Sequence, residues 1–299
     1  MDRISNIGEE CFTRGDFSES TEVAHFAELM ARDMPVAVDN DTVFAIWGNG
    51  RSETFKRGVD AAKEREPNRT YGLSIDSEEF LPLVDRDRLP RHIHPLFDDA
   101  EVFDGLLGAI SFVRVPARRR ALEAGNVPSA VISYAADAAR TPVIQNWSPA
   151  GKHNVHHLLH TAKHLEGDFF ATVTSLNLSK QPEITTLQTA DTFSTGRLPL
   201  LTDEHATRKL QGSFPIVTAD EEGLTIIRTR ARGVGTRLLS GLLHGYDVHE
   251  ATETTLNPGR HFEELRGIRG AELRQGLLET LGWSNPTPVL ASAPRKMGV

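Results

Sequence analysis

The chain has 299 residues, and 39% hydrophobic residues allow a substantial core in one large domain or in a domain with an extension. Lys and Arg number 33 against 41 Asp and Glu, and the formal charge of −8 excludes a protein that coats nucleic acid nonspecifically, because cations neutralising phosphate dominate such binding. Cys11, the single cysteine, excludes an intrachain disulfide and a thiolate-rich metal cluster.

No stretch nears the roughly 20 apolar residues that span a bilayer, and the start, Met1-Asp2-Arg3-Ile4-Ser5, lacks the charged-then-apolar pattern of a signal peptide. A cytoplasmic protein with no membrane partner is expected. The first predicted helix covers 20–34, where Val23, Phe26, Ala27 and Met30 share a face at i, i+3, i+4 and i+7. Pro35 stops it, and 36–38 with 42–47 read as a strand interrupted by Asp39-Asn40-Asp41. Gly48-Asn49-Gly50 ends that strand, and 52–65 reads as a helix with Phe55, Val59 and Ala62 on its apolar side and Lys63 and Arg65 in its last turn. A short strand follows at 70–75. Asp76 with Glu79 resembles a capping box that opens a helix through Val84.

Further strands are predicted at 109–115, 130–134, 142–145, 169–173, 215–218 and 224–228. Arg118-Arg119-Arg120 after Pro116 reads as a solvated helix start, with a local basic pocket as the alternative. From about 235 the pattern turns helical, with candidates at 236–243 and 261–281, and the proline-containing end from Asn285 reads as a tail or strap. Alternating helices and strands predict an α/β protein built on a single twisted sheet. The expected division is an N-terminal segment 1–19, a main domain 20–235 and a helical C-terminal extension 236–299.

Five of the twelve histidines fall at His153, His156, His157, His160 and His164. On a helix at about 100° per residue they occupy an arc of roughly 100°, opposite Val155, Leu158, Leu159, Ala162 and Leu165. Pairs four apart let two imidazoles share one metal, and His153, His157 and His160 are the candidate ligands for a transition metal. The alternative is a pH-sensitive surface or a helix at a cavity mouth. His92-Ile93-His94 precedes Pro95 in a loop and is assigned no role.

Two tripeptides about 110 residues apart complete the pattern. Lys63-Glu64-Arg65 ends a helix, and Ser175-Leu176-Asn177 leaves an apolar run on a polar loop, Thr174 through Ser179. Together with Asp41-Thr42-Val43-Phe44-Ala45-Ile46, and in this order and spacing, they resemble the YrdC-like family of threonylcarbamoyl-adenylate synthases. That family shows Pro-Thr-x-Thr-Val-Tyr-Gly-Leu on its first strand, then Lys-x-Arg, then Thr-Ser-Ala-Asn-x-Ser-Gly. The resemblance also aligns Gly108-Ala109-Ile110-Ser111-Phe112 with a Pro-Gly-Pro-x-Thr segment, and Ile226-Ile227-Arg228 with a late Ile-Ile-Arg-Pro-Gly.

The resemblance implies an α/β fold with an open, twisted mixed sheet and flanking helices around a large concave cavity. It also implies that ATP, as its Mg2+ complex, meets bicarbonate and an amino acid or other amine there to give a carbamoyl-adenylate and pyrophosphate. Lys63 and Arg65 would meet phosphate or carboxylate oxygens, and Ser175 and Asn177 would supply directional hydrogen bonds. Arg228 would be a third cation near the nucleotide, while Asn40 and Thr42 would face the amino acid. The departures matter equally. Asn40 replaces the family's first threonine and Asp39 its proline, and the arginine of an Arg-x-Pro motif is missing from Gln145-Asn146-Trp147-Ser148-Pro149. A carboxylate at Asp39 or Asp41 suits a cationic partner or a solvated turn. Other readings are a non-catalytic nucleotide- or RNA-binding protein on this fold and a metal-dependent enzyme using the histidine face.

Overall fold

The computed structural model describes residues 13–40, 43–66, 69–109, 111–135, 137, 139–179, 181–203, 214–226 and the backbone of 249–250. Expectations for Asp41, Thr42, Ile110, Arg228 and the two C-terminal helices lie outside the described residues.

β1 (Arg14–Asp16) leads into α1 (Ser20–Ala31), which buries Val23, Phe26, Ala27 and Met30 as its periodicity predicts. Asp33, in the left-handed region at φ 69°, turns the chain into β2 (Val36–Asp39), which pairs antiparallel with β3 (Phe44–Asn49). Then come α2 (Glu53–Ala62), β4 (Gly72–Leu73), α3 (Ser77–Phe80), α4 (Ala100–Phe103), β5 (Phe112–Pro116), α5 (Arg119–Glu123), β6 (Ser133–Tyr134) and β7 (Pro142–Asn146). The series continues through α6 (His153–Leu165), β8 (Ala171–Ser175), α7 (Leu187–Ser194), β9 (Leu200–Thr202), β10 (Ile216–Asp220), β11 (Gly223–Ile226) and β12 (His249–Glu250).

The strands form one mixed sheet in the order β1-β9-β2-β3-β8-β4-β7-β5-β10-β11-β12, with β6 hanging on β7. Helices flank it, α1 lying against β2 and β3 with α6 packed on α1.

Several elements differ from expectation for local reasons. The helix after Asp76 stops at Phe80, because Pro82 falls in the next turn and a proline offers no N–H to continue the ladder. The Asp76 carboxylate makes no cap bond. The strand expected from 109 starts at Phe112, since Asp104–Gly108 forms a wide helical turn that draws Ser111 Oγ onto the Leu107 carbonyl, 2.6 Å away. The strand expected over 130–134 is only Ser133–Tyr134, after a turn through Ser129–Val131. His92 to His94 lie in a 3-10 helix, Arg91–Phe97, in which Nε2 of His94 meets the Leu89 carbonyl at 2.9 Å. Leu165, expected on the apolar side of its helix, is exposed where the helix ends.

Register fixes which side chains share a face, because paired residues point the same way and neighbours along a strand point oppositely. Ala45 pairs with Ser175, Trp47 with Val173 and Val173 with Gly72. Leu73 pairs with Asn146, so Gln145 joins the first set; Arg114 pairs with Gln145 and Thr218, and Phe112 with Ile216. One face of the sheet therefore carries Ala45, Trp47, Gly72, Phe112, Arg114, Gln145, Val173, Ser175, Ile216 and Thr218. The other carries Phe44, Ile46, Leu73, Val113, Val115, Ile144 and Val217, all fully buried.

Candidate functional site

The first of these faces is hollowed. A cavity of about 160 Å³ over the middle strands is lined by Asn40, Ala45, Gly72, Phe112, Gln145, Trp147, Val173 and Ser175, with Phe214 and Ile216 at its far side. Ala45 and Gly72 carry almost no side chain and leave room over the strands. At Gly72 a Cβ would stand 3.0 Å from Phe112 Cε1 and would press on that ring. Trp147 forms an aromatic wall, with ring centroids 5.8 Å from Trp47 and 5.3 Å from Phe214. Along the same face, over β5, β7 and β10, a wider hollow of about 530 Å³ is bordered by Arg88, Arg114, Tyr134, Thr141 and Thr218.

The two tripeptides meet. The Lys63 ammonium donates to the Ser175 carbonyl and, at 2.9 Å, to Asn177 Oδ1, which also accepts from Ser175 Oγ at 2.5 Å. Asn177 Nδ2 donates to the Gln181 carbonyl at 2.5 Å, and Ser179 N to the Lys63 carbonyl at 3.2 Å, so the loop after β8 is tied to the end of α2. Lys63 is 4% exposed. Burial, with the Arg65 guanidinium adding to it, brings its ammonium down from 10.5 to about 7.

Arg65 goes elsewhere. Lys63 caps α2 rather than lying in its last turn, and Glu64 adopts the left-handed region at φ 48°. Glu64 N then bonds the Ala61 carbonyl at 3.2 Å and Arg65 N the Asp60 carbonyl at 3.1 Å, a Schellman closure with glutamate where glycine is usual. Beyond this reversal, Arg65 Nε meets Asp60 Oδ1 at 2.6 Å and the guanidinium lies 4.8 Å over the Tyr71 ring. Burial is the leading cause that pushes the Tyr71 phenol up to about 12. Arg65 Nη2 is buried with no hydrogen-bond partner among the described residues.

Asn40 reaches the cavity, whereas Asp39 is fully buried and its carboxylate accepts from Asp203 N at 3.3 Å. The stretch that lacks the family's arginine sends Gln145 and Trp147 to the cavity, while Asn146 bonds both backbone groups of Ile75 at 3.1 Å. Sequence reasoning missed the aromatic wall and Gln145. The alternation of Gln145 and Trp147 about buried Asn146 was the only local signal.

The histidine helix forms as expected, burying Val155, Leu158, Leu159 and Ala162. Among the described residues, His160 alone of the three proposed ligands lies near a carboxylate: its Nε2 stands 2.7 Å from Asp76 Oδ2, and His156 Nε2 is 3.2 Å from Asp76 Oδ1. His153 and His157 stack on each other, with ring centroids 6.5 Å apart. Burial would raise Asp76, but hydrogen bonds and charge from His156 and His160 outweigh it and hold the carboxyl well below the usual range. The Asp76 hydrogen bond is the main cause raising His160, and burial is the main cause lowering His153.

No protein-family profile and no curated protein matches the chain. Solved structures do. P. abyssi Sua5 complexed with L-threonine superposes with a TM-score of 0.54 at 14% identity, over 83% of this chain and 66% of that one. E. coli YciO gives 0.51 at 10% identity, over 75% of this chain and 95% of its own. The fold is YrdC-like. The protein smu.1377c of Streptococcus mutans shares the YrdC-like fold, with a TM-score of 0.53 at 12% identity over 78% of this chain and 94% of that one. The chain spans 66% of that Sua5 chain and 60% of a variant Sua5, and identities this low carry the YrdC-like fold alone. Among the described residues no helix is long and apolar enough to cross a membrane.

Proposed function

We propose that the chain forms a carbamoyl-adenylate on the hollowed face of its sheet, from ATP taken as its Mg2+ complex, bicarbonate and an amine. The amine and bicarbonate condense to a carbamate with loss of water. A carbamate oxygen then attacks the α-phosphorus of ATP, the bond to the β-phosphate oxygen breaks, and pyrophosphate leaves. Little covalent chemistry falls to the protein, so catalysis is positioning and charge neutralisation.

The observation that carries this reading is Lys63, held against Ser175 and Asn177 beside a cavity that Ser175 itself lines. An ammonium has three donors, and two are committed to the loop, which leaves the third for an incoming anion. The Ser175 hydroxyl, whose proton goes to Asn177 Oδ1, offers the substrate a directional acceptor at the cavity wall. Arg65, clamped to Asp60, acts in this reading as an electrostatic neighbour of Lys63 and through its unpartnered Nη2. Arg114, opposite Gln145 on the same face and bordering the wider hollow, is the candidate replacement for the missing family arginine. Arg228 and Thr42 remain proposed from the resemblance.

The acceptor differs from threonine in this reading, because Asn40 stands in the cavity where the family has a threonine. The neighbour Sua5 is the protein described with L-threonine. Pyrophosphate release from ATP and bicarbonate, screened across amino acids and simple amines, tests it. Stimulation by at least one amine is expected. ATP binding without stimulation by any amine would instead support a non-catalytic nucleotide-binding protein.

A further inference from the structure

We propose that Asp76, His156 and His160 bind one divalent first-row transition-metal ion that bridges α6 to the segment following β4. The three side chains lie outside the cavity discussed above and serve no step of the proposed reaction. Their donor atoms, one carboxylate oxygen and two imidazole nitrogens, all fall within 4.8 Å of one another. His156 and His160 are four apart on α6, with ring centroids 4.2 Å apart, and both turn Nε2 toward the same carboxylate. Each takes a different oxygen, at 3.2 and 2.7 Å. A tetrahedral ion with bonds of about 2.0–2.1 Å sets its ligands about 3.3 Å apart, close to the 3.2 and 2.7 Å that already separate the two imidazoles from the carboxylate.

The carboxylate is positioned for this. Asp76 stands at the start of α3 but makes no cap bond, and the residue before it is fixed by the paired bonds between Asn146 and the Ile75 backbone. All three ligands keep some exposure, from 17% at His156 to 44% at His160, which gives an ion an entry path. Next to them a space of about 30 Å³ is lined by Asp76, Glu79, His160 and Lys163, enough for one water at a remaining coordination position. Two imidazoles and one carboxylate suit zinc, cobalt or nickel rather than magnesium or calcium, which prefer all-oxygen sites.

The alternative is a metal-free clasp in which two imidazoles share one carboxylate. Calorimetric titration of Zn2+ into the full chain, made without a histidine tag and stripped with chelator, separates the two. One saturable site is expected. His160→Ala and Asp76→Asn should each weaken it at least about 100-fold, beyond the 10–100-fold typical of losing an outer partner. His153→Ala should leave it within about threefold, since that ring stacks on His157 instead. No saturable binding overturns the proposal, as does equal loss in His153→Ala. For variants that fail to fold, Co2+ bound to the unaltered chain decides: an absorption spectrum shifted from the aqueous ion supports the site, and one identical to it overturns the site.

Discussion

Lys63 places its ammonium 2.9 Å from the side-chain oxygen of Asn177, a residue 114 positions later, and both sit where the end of α2 meets the loop after β8. Burying that cation costs stability, and the structure offers it no carboxylate within ion-pair distance among the described residues. A fold optimised only for stability would place an apolar side chain here. A desolvated cation without a counter-ion is the pattern expected of the anion site proposed above.

Lys63→Met tests this trade-off directly. The thioether matches the stem in volume and removes the desolvated charge, so the variant should be more stable at pH 6, by roughly 1–2 kcal/mol, after allowing for the Ser175 carbonyl that loses this donor while Asn177 Oδ1 keeps the Ser175 hydroxyl. It should also bind ATP at least about 10-fold more weakly, the equivalent of one charge-assisted hydrogen bond. A lower melting temperature together with unchanged ATP affinity would remove Lys63 from the site.

The same group predicts a pH dependence. In the unfolded chain Lys63 holds its proton up to about 10.5, and in the folded chain only up to about 7. Between these values the unfolded state binds more protons, so raising the pH favours folding. The destabilisation is full below pH 7 and is gone above about 10.5, so the stability advantage of Lys63→Met should shrink steadily across that window. An incoming triphosphate restores the charge. ATP binding at pH 8–9 should therefore take up close to one proton, seen as a calorimetric enthalpy that changes with the ionisation enthalpy of the buffer, and Lys63→Met should abolish the uptake. Buffer-independent enthalpies in the unaltered chain would contradict it.

That Lys63 would share a site with Ser175 and Asn177 was legible only through the resemblance, with each half placed where an element ends and a chain can present polar groups. Arg65 was not. Whether two cations two residues apart point together depends on the residue between them, and a glutamate at φ 48° is a conformation its side chain does not announce. The histidines behave similarly. Periodicity placed five on one arc, but the pair that meets a carboxylate is chosen by Asp76, 80 residues before His156 and on another element. The aromatic wall depends on register among β3, β7 and the approach to β10, and no local window holds that information. Periodicity served best for α1 and α6, whose apolar stripes are long enough to outweigh single residues.

Arg65 and Asp60 give the last prediction. Their side chains are 7% and 17% exposed, 2.6 Å apart, and the guanidinium also covers Tyr71. Arg65→Ala leaves a half-shielded carboxylate without its cation and bares the ring, and should destabilise by roughly 2–4 kcal/mol, toward the lower end of what breaking a buried pair costs. Asp60→Ala should cost a similar amount, because it strands the guanidinium whose Nη2 already has no partner among the described residues. The double variant should then fall short of the sum by about 1–3 kcal/mol, as side chains in direct contact do. Chemical denaturation of the four proteins measures this coupling, and ATP titration of the same four assigns the role. A clamp that holds the end of α2, and through it Lys63, loses ATP affinity in step with stability, and in the double variant both losses fall short of the sum of the single ones. Loss of ATP affinity in Arg65→Ala that far exceeds its loss in Asp60→Ala, with the stability coupling near zero, would instead mean that Arg65 leaves Asp60 to contact the nucleotide.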